Sequence, residues 1–186
     1  GRGAGAAGAV VLTGCSGGSD TNDTDAGSSA SQSAEFNDAD VAFAQGMIVH
    51  HEGALEMAQM ADGRAQNPQV LDLADRIEAA QDPEIKTMTG WLEDWDQPTS
   101  ADESGGMDME GMSEEDMTAL DSSSGAEFDR MFLDMMIPHH QGAVEMAETE
   151  IADGSDQDAV EMAREIVESQ TAEIQEMQTL LTELGG

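Results

Sequence analysis

Basic residues, cysteine and large apolar side chains are all scarce in this chain. Six Lys and Arg stand against 40 Asp and Glu in 186 residues, a formal charge of −34. That balance excludes DNA and RNA as partners, because holding phosphates takes clustered Lys and Arg. Cations are the ligands such a chain attracts. A single Cys excludes an internal disulfide and leaves no four-Cys or Cys/His zinc pattern. There is no Gly-rich phosphate loop, no zinc-protease motif and no nucleophile suitably spaced from a base. Leu, Ile, Val and Phe together make up about one residue in six, a range in which a highly charged chain stays unfolded unless those residues are concentrated. They are concentrated, with most of the Met and both Trp, in residues 38–96 and 126–184. Those two stretches are the part expected to fold.

The lone Cys has a context of its own. Ala9-Val10-Val11-Leu12-Thr13-Gly14-Cys15 is a short apolar run ending in small residues, followed by Gly, Ser and Asp. Leu12-Thr13-Gly14-Cys15 resembles the lipobox of bacterial lipoprotein signals, which implies cleavage before Cys15 and lipid on its sulfur. Residues 1–15 then read as the remnant of a signal, 16–36 as a flexible tether and 37–184 as the folded domain. The expected location is extracytoplasmic, lipid-anchored to the bacterial cell membrane. Nothing else approaches the run of about 18 apolar residues that a spanning helix needs.

The folded part contains an internal repeat. Residues 43–58 align with 132–147 at a constant offset of 89, with ten of sixteen positions identical. The offset returns at Ala74/Ala163, Ile77/Ile166, Gln81/Gln170, Ile85/Ile174, Met88/Met177 and Leu92/Leu181. Two copies of one supersecondary unit must cover each other's apolar faces. Period and punctuation make that unit a helical hairpin. Asn37 with Asp40 reads as a capping box before an apolar run stopped by Gly63. Asn67-Pro68 opens a second helix, with Pro at the first helical position, running to about Trp95. The second copy gives a helix over about Ala126–Ala152, a stop at Gly154, and a helix over about Asp156–Leu184. Short turns make each pair antiparallel, and the expected fold is an all-α four-helix bundle of two duplicated hairpins. Residues 97–125 read as a Met-rich linker with a short helix near Ser113–Leu120.

All four His occur as adjacent pairs, His50-His51 and His139-His140, at matching positions of the repeat. At about 100° per residue, Met47 lies about 60° and Met57 about 20° from His50, so one helical face carries Met, His and Met. Met135, Met136, His139, His140 and Met146 repeat it. If the hairpins meet about a pseudo-twofold axis, imidazoles and thioethers converge. That soft-to-borderline set favours Cu(I) and Ag(I) over Mg, Ca or Mn, and Cu(II) can use the imidazoles with nearby carboxylates. Met at helical spacing commonly only fills a core, but four imidazoles buried in a small core without a ligand would be costly. Met107, Met109 and Met112 form a possible secondary metal segment of weaker specificity. Glu56 and Glu145 lie about 120–140° round from the His pairs and are expected to face solvent or to stand behind the ligands. Met47 and Met136 occupy the place of the Glu in the Glu-x-x-His motif of di-iron bundles, which argues against oxygen activation. Gln81 and Gln170, polar within apolar stripes, are candidates for orienting a ligating His or, equally, tolerated boundary residues.

Met47-Ile48-Val49-His50-His51-Glu52-Gly53-Ala54 and Met136-Ile137-Pro138-His139-His140-Gln141-Gly142-Ala143 resemble the doubled M-x-x-H-H-x-x-A signatures of domain-of-unknown-function family 305. The resemblance covers about residues 38–184. It implies a ferritin-like four-helix bundle, secreted or lipid-anchored, associated with copper. It also implies Met47, His50, His51, Met136, His139 and His140 as ligands. Pro138 fits the second motif and is expected to bend its helix by removing one backbone bond.

The resulting reading is a lipid-anchored copper-binding protein, a scavenger, buffer or chaperone and not a catalyst. One rival is a metal-dependent redox enzyme, which needs an open coordination position. The other is an interaction module whose acidic surface meets a membrane or extracytoplasmic protein. Unperturbed imidazoles titrate near pH 6.5, so metal binding is expected to weaken below about pH 6.

Overall fold

The computed structural model describes residues 36–100 and 112–185, and five helices lie within them: α1 (Asp38–Gln59), α2 (Pro68–Asp94), α3 (Glu114–Ser122), α4 (Ala126–Asp153) and α5 (Gln157–Gly185). The lipobox-like stretch with Cys15, the tether before Phe36, and Met107 and Met109 lie outside the described residues. The fold is all-α. Two long hairpins, α1–α2 and α4–α5, pack through α1 against α4, and α3 rests on α4.

Side chains that satisfy the otherwise unpaired N–H groups fix where α1, α2 and α5 begin, whereas α4 starts after Gly125 with no side-chain cap. Asn37 and Asp40 form the expected capping box of α1. Asn67 Oδ1 accepts from Gln69 N at 2.9 Å ahead of Pro68. At the equivalent place of the second copy, Asp156 Oδ1 accepts from Asp158 N at 2.9 Å and Ala159 N at 3.0 Å. α1 ends before Gly63, at Gln59, and the chain turns through Gly63 at φ +75°. Gly154 serves differently: a Cβ there would collide with Glu150 Oε1 and lie 2.7 Å from the Glu150 carbonyl oxygen. α4 stays a continuous helix through Pro138, as α2 does through Pro83.

The hairpins clasp each other reciprocally. Asp40 on α1 accepts from the N–H groups of Ser155 (3.0 Å) and Asp156 (2.9 Å) in the α4–α5 turn. Asp129, 89 residues on, accepts from the N–H groups of Gln66 (3.0 Å) and Asn67 (2.9 Å) in the α1–α2 turn. Each carboxylate thus tethers the turn of the other hairpin, the pattern a pseudo-twofold axis requires. The first latch has an addition: Glu150, buried beside Asp40, occupies the position that Ala61 fills in the other copy. Both Glu150 oxygens are buried without a partner at hydrogen-bond geometry. Burial, then the adjoining Asp40 and Asp156, push its pKa up to about 8. Burial works against ionising Asp40, but Glu150 and the N–H groups of Asn37, Asp156 and Ser155 outweigh it and hold Asp40 below the usual carboxylate range.

Two apolar clusters fill the interior. The larger contains Met57, Leu73, Ile77, Phe128, Phe132 and Met136, and the smaller Phe43, Met47, Met88, Leu92 and Ile166. Full burial of each such side chain contributes about 1.5–3 kcal/mol. The segment read as a linker is partly docked: Leu120 of α3 is buried in the larger cluster, Arg64 bonds Asp121, and Gly125 N donates to the Arg64 carbonyl at 2.8 Å. Phe36, assigned to the tether, stacks on Trp95 with ring centroids 4.9 Å apart.

Candidate metal centre

Along α1 the smaller cluster ends at Ile48 and the larger resumes at Ala54; along α4 the larger ends at Met136 and the smaller resumes at Ala143. The His pairs fall at both changeovers. All four are buried, His51 and His140 completely. The rings of His50 and His139, equivalent residues of the repeat, stack across α1 and α4 at 3.7 Å between centroids and 17° between planes. His139 Nε2–H donates to the His50 carbonyl at 2.9 Å. His50 lies over α4 where a Cβ at Gly142 would be 3.2 Å from its Nε2, so the absent side chain at Gly142 makes room for the ring.

The second His of each pair is held within its own hairpin. His51 Nε2 is 2.7 Å from Glu84 Oε2 on α2, and His140 Nε2 is 2.8 Å from Glu173 Oε2 on α5. In the other direction, Nδ1 of His51, His139 and His140 is buried with no partner among the described residues. An orphaned buried ring nitrogen is costly, and each of the three carries a lone pair or proton that the protein itself leaves unsatisfied. No three His, Cys, Asp or Glu side chains converge on one point among the described residues. The imidazoles therefore do not complete a site alone, and the donors available to join them are thioethers. Met47, Met57 and Met136 are fully buried, Met135 is nearly so and Met146 is half-buried. Met47 belongs to the smaller cluster with Met146 packed against it, and Met57, Met135 and Met136 belong to the larger.

Burial, with the charges of the other three imidazoles, pushes the pKa of His50 down to about 2. Burial lowers His139 to about 4 despite its bond to the His50 carbonyl. Both stay neutral, the form a metal needs, well below the pH 6 limit expected of unperturbed rings.

Glu56 and Glu145 are exposed, as their helical angle predicts. Gln81 and Gln170 do not orient the histidines: each is buried with its Oε1 unpartnered among the described residues, and the side chains bonded to His51 and His140 are Glu84 and Glu173. Met112 packs half-buried against the larger cluster and belongs to the apolar end of the fold. Glu84 and Glu173 were not singled out by sequence reasoning, although they too are separated by the repeat offset.

A family model described as a domain of unknown function, DUF305, matches residues 40–181. A DUF305 protein of Streptomyces coelicolor is 34% identical at a TM-score of 0.75, the match covering 80% of this chain and 94% of that one. A DUF305 fragment from Deinococcus radiodurans is 32% identical at a TM-score of 0.72, covering 80% and 98%. CopM in its Cu(I)-bound form is 34% identical at a TM-score of 0.68, covering 79% and 98%. CopM is also described in Cu(II)-bound and Ag-bound forms. No curated protein matches the chain.

Proposed function

The chain belongs to the DUF305 family, and from that membership we propose that it binds copper, holding the ion between its two hairpins as a scavenger, buffer or chaperone. The observation that carries this reading is the trio of buried, unpartnered Nδ1 atoms on His51, His139 and His140, on helices that also bury Met47, Met57, Met135 and Met136. The ligand set is drawn from His50, His51, His139 and His140 with Met47, Met57, Met135, Met136 and Met146. Thioether with imidazole suits Cu(I) and Ag(I), and imidazole suits Cu(II). The three ions bound by CopM, a relative of similar fold, support that choice.

Anaerobic Cu(I) titration against a competing chelator tests the reading. Tight binding by the wild-type protein is expected, and its absence refutes the proposal. The location we propose is the outer face of the cytoplasmic membrane, through lipid on Cys15. Cys15→Ser should then leave the protein unprocessed or release it, and membrane partitioning unchanged by the substitution would refute the anchor.

A further inference from the structure

Two glutamates outside the ligand set stand at equivalent places of the repeat, on α2 and α5, each against the second His of its own hairpin. An ionised carboxylate carries no proton, so the ring nitrogen must donate. Glu84 and Glu173 therefore place the proton of each neutral ring on Nε2 and leave the lone pair on Nδ1. Nδ1 is the atom that is buried and unpartnered in both rings. The arrangement occurs twice, with Nε2–Oε2 distances of 2.7 and 2.8 Å.

We propose that Glu84 and Glu173 are positioning residues of the copper site, fixing His51 and His140 as Nε2–H tautomers that present Nδ1 to the ion and biasing the site toward Cu(II) relative to Cu(I). The inference rests on the copper reading above. A carboxylate behind a ligating imidazole holds the ring in place and raises its basicity. Two fixed anions at equal distance attract a dication more than a monocation. The halves differ in one respect. Arg76 Nη1 lies 4.0 Å from Glu173 Oε1, and Arg76 Nη2 bonds Glu176 at 2.7 Å. The repeat places Glu165 at the position of Arg76, and among the described residues only His51 pairs with Glu84. The charge of Glu84 is therefore the less compensated and has the larger effect.

Nitrogen-edited NMR of the metal-free protein at about pH 8, where free imidazole is neutral, reads the tautomers directly. The expected result is Nε2–H at His51 and His140. Glu84→Ala should alter His51 alone, whereas Glu84→Gln, whose amide oxygen still accepts, should preserve its tautomer. In chelator competition, Glu84→Gln should weaken Cu(II) about tenfold and leave Cu(I) nearly unchanged, raising the potential of the bound couple by about 59 mV. Glu173→Gln should do the same to a smaller extent. Nδ1–H tautomers in the metal-free wild type, or equal losses of Cu(I) and Cu(II) affinity in Glu84→Gln, would overturn the inference. A wild-type protein that binds no copper refutes the function and, with it, the bias toward Cu(II), while the metal-free tautomers still decide the positioning role.

Discussion

Glu150 carries its proton at neutral pH because ionising it would bury a second charge beside Asp40. Its ordinary value is 4.5 and its folded value about 8, so the folded protein holds that proton more tightly than the unfolded chain. The stability this contributes is complete below about pH 4.5, declines as pH rises toward 8 and is lost above it. Glu150→Gln keeps the shape and removes the dependence. Its melting temperature should exceed wild type at pH 9 and approach it at pH 4, and a constant difference across that range would contradict the assignment. His50 and His139 act in the opposite sense. Their folded values lie below 6.5, so their contribution is complete above 6.5 and falls as pH drops through the window down to about 4 and then 2. Gly142 tests the ring geometry at the same scale. Ala in a helix interior is favoured over Gly by about 0.5–1 kcal/mol, but its Cβ would lie 3.2 Å from His50 Nε2. Gly142→Ala should leave the melting temperature level or slightly higher while weakening Cu(I) binding in chelator competition; unchanged affinity would place the His50 ring outside the site.

Between helices, the latches are the contacts with the clearest energetic consequence. Asp129→Ala leaves the N–H groups of Gln66 and Asn67 without their acceptor, at a cost of about 1–3 kcal/mol each if they stay buried from water. Hydrogen exchange should show faster exchange at those two amides while the α4–α5 turn, held by Asp40, keeps its protection. Asp40 was legible in the sequence only as half of a capping box, a local role that hid its bonds to Ser155 and Asp156. Its equivalent Asp129, like Glu84 and Glu173, was concealed by abundance, since 40 acidic residues make any one of them read as solvated surface. The His pairs were legible for the opposite reason: four imidazoles, all at matched positions, have no background to be lost in. The helix starts were readable because Asn37, Asn67 and Asp156 satisfy N–H groups within their own turns. Docking of α3 depends on contacts from Arg64 and on Leu120 reaching a core formed elsewhere, which no local pattern in 97–125 reveals.

For the molecule as a whole, the stacking of His50 on His139 across α1 and α4 argues for one shared site over one site per hairpin. Replacing His50 and His51 with Ala should abolish tight Cu(I) binding as completely as replacing His139 and His140. A bound ion should also raise stability by about 2.7 kcal/mol at a free concentration a hundredfold above Kd, and either double variant should lose that thermal shift. Half the stoichiometry at wild-type affinity would instead mean two independent sites. The reciprocal latches carry a further consequence. Because each carboxylate secures a turn belonging to the other hairpin, the fold is in effect a dimer written on a single strand, joined only through the segment after α2. Cutting the chain once between the two hairpins should therefore yield two fragments that remain associated and still capture copper, but with an affinity that falls on dilution, as that of the intact chain does not. A site whose strength depends on protein concentration only after one cut would identify the connection as a device for keeping two halves at high local concentration.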